Sequence, residues 1–207
     1  IINHHMESKL FTPVTFGPLT LRNRTIRSAA FESMCPGNAP SDMLLDYHRS
    51  VAAGGIGMTT VAYAAVTRSG LSFDRQLWMR PEIIPGLREL TDAIHAEGAA
   101  AGIQLGHCGN MSHKSICGCT PVGASGGFNL YSPTFVRGLR ADELPEMARA
   151  YGRSVNLARE AGFDAVEIHA GHGYLISQFL SPSTNHRKDE FGGSLQNRMR
   201  FMDMVME

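Results

Sequence analysis

Apolar and polar positions change period several times along the chain, and each change marks an element. Leu10 to Leu21 holds Pro13, Gly17 and Pro18 between short runs of β-type residues, which predicts a small hairpin. Arg24 to Ala30 is a candidate first strand. Ser41-Asp42 can cap a helix that runs through Leu44, Leu45, Tyr47, His48, Val51 and Ala52 and stops at Gly54-Gly55. Ile56 to Val66 is a mostly apolar run of strand type. Pro81 and Glu82 open a second helix with Ile83, Leu87, Leu90, Ile94 and His95 on one face, and Gly98 ends it. Ala99 to Leu105 predicts a third strand and Leu144 to Ala161 a third helix, stopped by Gly162. Phe163 to Ile168 predicts a fourth strand and Asn197 to Met206 a fourth helix. Between them, His107 to Asp142 is rich in Gly, Ser, Cys and Pro and has no clear period. A loop of that length inside a compact domain is usually functional.

The order is therefore a hairpin followed by a strand and a helix, four times over. Nearly continuous apolar strands alternating with amphipathic helices predict an α/β fold: a parallel sheet with helices outside it. A doubly wound sheet is one solution. The other is a (β/α)8 TIM barrel, which needs eight such units and roughly 250 residues, so four units with an N-terminal hairpin amount to half of one. No Gly-x-Gly-x-x-Gly follows the first strand, which argues against a Rossmann nucleotide site. Residues 1–6, Ile1-Ile2-Asn3-His4-His5-Met6, read as expression-derived sequence with a natural start at Met6. That leaves 7–207 as one domain and removes His4 and His5 from any metal argument.

Composition narrows the partners more than it narrows the fold. The 207 residues are 43% hydrophobic and 18% charged, an ordinary globular balance. Nineteen basic and nineteen acidic residues cancel, and no basic stripe stands out, so nucleic acid is not an expected partner. No apolar run reaches about 18 residues and no charged-then-apolar leader opens the chain, so neither a membrane span nor secretion is expected and the location reads as cytoplasmic. The cysteines are Cys35, Cys108, Cys117 and Cys119, with no Cys-x-x-Cys among them, and free thiols are the expectation. A metal site built from Cys108, Cys117 and Cys119 with His107 or His113 is an alternative that lacks the usual ligand spacing.

The candidate chemistry lies in Phe163 to Pro182, FDAVEIHAGHGYLISQFLSP. A short apolar strand ends in His169, His172 and Tyr174. Three proton-handling side chains at the carboxyl end of a parallel strand suggest an active-site floor, because ligands sit at that end of barrels and open α/β sheets. The plainer alternative is a pair of histidines capping a loop. A metal-dependent hydrolase using His169 and His172 is a further alternative, without the expected carboxylate ligands nearby.

With these residues in place, the chain resembles the old yellow enzyme family, FMN-dependent NAD(P)H:flavin oxidoreductases built on a TIM barrel. The marks are Leu21-Arg22-Asn23-Arg24 ahead of the first strand and Gly102-Ile103-Gln104-Leu105-Gly106-His107 on the third. To these add the His169 to Tyr174 segment, then Ser181-Pro182, Asn185-His186-Arg187, Phe191-Gly192-Gly193-Ser194 and Asn197-Arg198. The resemblance runs from about Leu10 to the last residue and covers the N-terminal half of the family's barrel.

The resemblance implies FMN as cofactor, NADH or NADPH as reductant and a small-molecule substrate with an activated C=C bond, as in an ene-reductase. It implies flavin contacts from Ser28, Ala29, Ala30 and Phe31 at the end of the first strand, from the backbone at Tyr63, and from Gln104 to the pyrimidine edge. It implies that His169 and His172 grip the substrate's carbonyl oxygen, that Ser33 lies on the substrate side, and that Tyr174 protonates the substrate carbon. These roles agree with the chemistry of the side chains. An amide supplies both donor and acceptor, two imidazole N–H groups can polarise an enone oxygen, and a phenol can deliver a proton. A glutamine satisfied by backbone inside a barrel is the plainer reading of Gln104.

Phe31 departs from the family pattern, which often has Thr, Cys or His there. The subfamily pattern Arg-Ser-Ala-x-aromatic-Glu fits Arg27 to Glu32 better. The family's phosphate loops, after the seventh and eighth strands, and a flavin-contacting arginine on the fifth have no counterpart in these 207 residues. A half-barrel that binds no FMN and does no chemistry is therefore the alternative. Open strand edges also predict self-association.

Overall fold

The computed structural model describes residues 8–207, so the reading of residues 1–6 lies outside the described residues. The elements run in chain order as β1 (Val14–Phe16), β2 (Leu19–Leu21), β3 (Ile26–Arg27), α1 (Asp42–Ala53), β4 (Met58–Ala65), α2 (Ile84–Ala96) and β5 (Ala100–Gly106). Then come α3 (Lys114–Cys117), β6 (Val122–Gly123), β7 (Gly127–Asn129), β8 (Thr134–Gly138), α4 (Leu144–Glu160), β9 (Ala165–Ile168), α5 (Leu175–Leu180) and α6 (Leu195–Met206). β1 and β2 form the expected antiparallel hairpin. β3, β4, β5 and β9 lie side by side in that order, all parallel. This is an incomplete TIM-barrel sheet with no closure.

One face of the sheet carries the core. Val61, Ala101, Ile103 and Leu105 pack with Leu44 and Ala52 of α1, Leu87, Leu90 and Ile94 of α2, and Tyr151 and Ala158 of α4, all of them buried. Strand alternation turns Gly102, Gln104 and Gly106 to the other face. There Gln104 lies in register with Glu167 of β9, and Thr60 lies beside Gly102. The Leu21 to Arg24 motif closes the opposite, N-terminal end. The Arg22 guanidinium donates to the carbonyls of Ile56 (2.9 Å), Glu97 (2.8 Å) and Ala52 (2.6 Å), and Asn23 Nδ2 donates to the carbonyl of Gly55 (2.7 Å).

Three expectations change. The first strand pairs only over Ile26 and Arg27. Side chains take the β4 groups beyond it: the Arg27 guanidinium donates to the Thr60 carbonyl (2.7 Å) and Glu32 accepts the Ala62 N–H (3.3 Å). The segment after His107 is not featureless, because it folds into α3 and a three-stranded unit in the order β6, β8, β7. Those strands are two to five residues long, too short for a period to show. Helix α6 starts two residues early, because the Ser194 hydroxyl accepts the Asn197 N–H and caps it. The short helix α5 has no periodic signal of its own. Among the described residues no helix is long and apolar enough to cross a membrane.

Candidate active site

The end of β9 sets the site. The His169 N–H donates to the Leu105 carbonyl (2.8 Å), extending the ladder by one residue and holding the imidazole at the carboxyl end of the sheet. Gly106 beside it has no room for a side chain: a Cβ there would stand 3.0 Å from Tyr63 Cδ2 and 3.1 Å from His169 Cβ. The glycine lets the rings meet. His169 lies with its ring centre 5.0 Å from Tyr174, 5.0 Å from His172 and 5.7 Å from Tyr63. His172 Nδ1 and His169 Nε2 are 3.1 Å apart, so one nitrogen donates and the other accepts. His172 adopts a left-handed backbone, φ +54°, between Gly171 and Gly173. A non-glycine residue there stores strain of the kind found at ligand sites.

Burial fixes the protonation states. His169 is held below the ordinary imidazole value, first by burial and then by the neighbouring His172, with Glu167 pulling the other way. Tyr174 is pushed above the ordinary phenol value, first by burial, with the nearby Ser72 hydroxyl opposing. At neutral pH the site thus presents a neutral imidazole and a protonated phenol. Tyr63 is also raised by burial. Its hydroxyl donates to the Gly70 carbonyl (2.8 Å), and its own carbonyl accepts from Gln76 (3.2 Å).

The turn that carries His172 is pinned from below. Gln178 Nε2 donates toward the carbonyls of Gly173 (2.6 Å) and Cys108 (3.1 Å) and toward Asn110 Oδ1 (2.9 Å), while its Oε1 accepts the Asn110 N–H (3.1 Å). The His107 carbonyl accepts the Leu175 N–H (2.9 Å) directly after Tyr174. A cleft of about 510 Å³ opens between this turn and the segment after His107, with His172, Asn110, Met111, Phe128 and Tyr131 in its wall.

The sequence-marked residues fall in two groups. His169, His172, Tyr174 and Tyr63 come together. Gln104 lies on the same face one pleat before Gly106; its amide donates to Glu167, and its Oε1 has no partner among the described residues. Ser28, Ala29, Ala30, Phe31 and Ser33 follow β3 at the opposite edge of the sheet. Phe31 is exposed and stacks on Phe73 at 4.8 Å, and Ser33 has φ +57°.

Sequence reasoning gave no role to Glu32, Gln178 or Glu167. Glu32, half-buried with its side chain only 3% exposed, bonds the Arg27 guanidinium at 2.8 Å, and its Oε1 lies 3.2 Å from His48 Nε2 without hydrogen-bond alignment. The five-residue spacing from Arg27 was the available signal. Gln178 and Glu167 sit within the marked segment, but their distant partners come from β5 (Gln104) and from Cys108 and Asn110 just after it. Among the described residues no three His, Cys, Asp or Glu side chains group to hold a metal ion.

Comparison with known proteins gives the chain's family. Residues 9–207 match the model of the NADH:flavin oxidoreductase / NADH oxidase family. The chain is 42% identical to a 4,4'-dithiodibutanoate disulfide reductase of Rhodococcus erythropolis over 96% of its own length and 49% of that protein's. It is 36% identical to an NADPH dehydrogenase of Bacillus subtilis (strain 168), over 98% of its length and 60% of the relative's. It superposes on the old yellow enzyme homologue of Zymomonas mobilis with a TM-score of 0.89 at 30% identity, covering 96% of this chain and 58% of the other. It superposes on morphinone reductase in complex with tetrahydroNAD with a TM-score of 0.90 at 29% identity, covering 96% and 59%. The chain thus spans about half to three fifths of these proteins. By its family model, its relatives and its fold, the chain belongs to the NADH:flavin oxidoreductase / NADH oxidase family, the old yellow enzyme family.

Proposed function

We propose that the protein of which these residues form part is an FMN-dependent oxidoreductase that uses NADH or NADPH to reduce an activated C=C bond of enone or enal type. The observation that carries the reading is the His169–His172 pair at 3.1 Å, at the carboxyl end of the strands and beside a half-buried Tyr174. The residues present fit a flavin. Gln104 offers an acceptor without a partner among the described residues, on the same face as His169; at the other edge Ser28 is exposed and Ala29 half-buried, while the Ala30 carbonyl accepts from Arg27 (3.2 Å). Gln104 would hold the pyrimidine edge, and Ser28 to Phe31 and Tyr63 the ring. FMN, when bound, supplies a hydride carrier between nicotinamide and substrate.

The chain's own residues do the rest. Each imidazole has an N–H to give, and one of these is at present used on the other ring. A carbonyl oxygen between the rings accepts from both, and these donors stabilise the negative charge that grows on that oxygen. His169 is kept neutral by burial, so it acts as a hydrogen-bond donor rather than as a cation. Tyr174 holds its proton at neutral pH and can give it to the α-carbon. Ser33 borders the substrate side.

Two measurements test this. FMN titrated into the purified protein, followed by flavin fluorescence, should bind, and Gln104→Ala should weaken binding. Absence of any binding would favour a half-barrel that does no flavin chemistry. In the loaded protein, His172→Ala should slow enone reduction about a hundredfold, the usual effect of losing one oxyanion donor, and leave flavin reduction by nicotinamide largely intact. Stopped-flow traces with only the flavin-reduction step impaired would refute the division of roles.

A further inference from the structure

A second cluster of reactive groups lies outside the histidine site. Cys117 ends α3, and Cys119 follows after Gly118, whose φ of +74° is left-handed. That turn brings the two sulfurs to 3.5 Å. The members differ in access: Cys117 is 2% exposed, whereas Cys119 is open to solvent. The Arg68 guanidinium covers the turn, with its Nη2 standing 3.2 Å from where a Gly118 Cβ would be. Among the described residues no carboxylate pairs with Arg68. A groove of about 610 Å³ leads away from Cys119 and is walled by Thr67, Arg137, Arg140, Glu143 and Arg153. Arg137 and Arg140 pair with Glu143, and Arg153 pairs with Glu146, which leaves Arg68 as the uncommitted cation beside the thiols.

We propose that Cys117 and Cys119 form a redox-active dithiol that exchanges with a small carboxylate-bearing disulfide, Cys119 attacking and Cys117 resolving. In the first step the Cys119 thiolate attacks one sulfur of the disulfide. The S–S bond of the small molecule breaks, a mixed disulfide forms on Cys119, and the departing thiolate takes up the proton Cys119 lost. In the second, Cys117 attacks the Cys119 sulfur and expels the other half as thiol. Two protein thiols are oxidised to one intrachain disulfide and one disulfide is reduced to two thiols, with two protons passing from protein to products. Arg68 gives the acidic disulfide its attraction. The other cysteines do not compete: Cys35 and Cys108 are buried, and burial raises each thiol to about 12. Cys119 is itself raised to about 11, first by burial and then by Cys117, with Arg68 and Arg137 opposing. Exchange should therefore quicken about tenfold per pH unit above neutrality.

The test is reaction of the purified chain with oxidised glutathione at pH 8, read by intact mass and peptide mapping. The parent should lose two hydrogens at the Cys117–Cys119 peptide and release two thiols. Cys117→Ser should stop at a glutathione adduct on Cys119, and Cys119→Ser should stay unmodified. Arg68→Gln should slow the parent reaction roughly fivefold, the equivalent of about 1 kcal/mol for one exposed charge, and leave the neutral hydroxyethyl disulfide unaffected. A parent that halts at the adduct, or oxidises through Cys35 or Cys108, overturns the dithiol assignment. Equal rates with oxidised glutathione, hydroxyethyl disulfide and cationic cystamine overturn the preference for acidic disulfides.

Discussion

Acidification should destabilise this domain through His107. His107 is wholly buried at the end of β5, and burial lowers it from 6.5 to about 3. The hydrogen bonds agree. Nδ1 accepts the Gly109 N–H (2.9 Å) and so carries a lone pair, which leaves the proton on Nε2 for Ser69 Oγ at 3.0 Å. A folded value below the unfolded one means the stabilising contribution is complete above about pH 6.5 and is lost as pH falls from there toward 3. Between pH 7 and pH 5 the unfolded chain takes up about 0.7 proton at this residue and the folded chain almost none. At about 1.4 kcal/mol per unit, the loss over that interval is about 2 kcal/mol. The assay is urea unfolding at several pH values for the parent and for His107→Gln, which keeps an acceptor and a donor but cannot titrate. The parent's stability should fall more steeply than the variant's, by about 2 kcal/mol over the interval. His169, also depressed by burial, adds to both proteins equally and cancels in the comparison. Parallel lines would show that His107 is protonated in the fold, and the tautomer deduced from Gly109 and Ser69 would be wrong.

Two further outcomes are expected. Glu32→Ala should destabilise the domain by about 3 kcal/mol, because it leaves the poorly exposed Arg27 guanidinium without its carboxylate and frees the loop from Ser28 to Ser33; urea midpoints measure it, and a loss below about 1 kcal/mol would show that Glu32 does not anchor that loop. We also propose that the 207-residue polypeptide self-associates through the free edges of β3 and β9, where Ile26 is exposed and Val166 and Ile168 are half-buried, and monodisperse monomer in light scattering at tens of micromolar would contradict this.

The order of elements was legible because burial writes itself locally. Apolar residues at Leu87, Leu90 and Ile94 recur at helical spacing, a mostly apolar run marks β4, and Ser41 and Gly98 punctuate the helix ends. The carboxyl end of β9 was legible as a site for the same reason: His169, His172 and Tyr174 are neighbours in sequence before they are neighbours in space. Tertiary structure alone decided what joins distant segments. That Tyr63 meets His169 across Gly106 depends on the stagger between β4, β5 and β9. That β3 stops after Arg27 depends on side chains of Arg27 and Glu32 claiming backbone groups of β4. The small sheet of β6, β7 and β8 and the meeting of Cys117 with Cys119 rest on turns too short to carry a period. Periodicity reports which side of one element is buried. It is silent on which other element does the burying, since that is fixed by register and chain reversal summed over the whole domain.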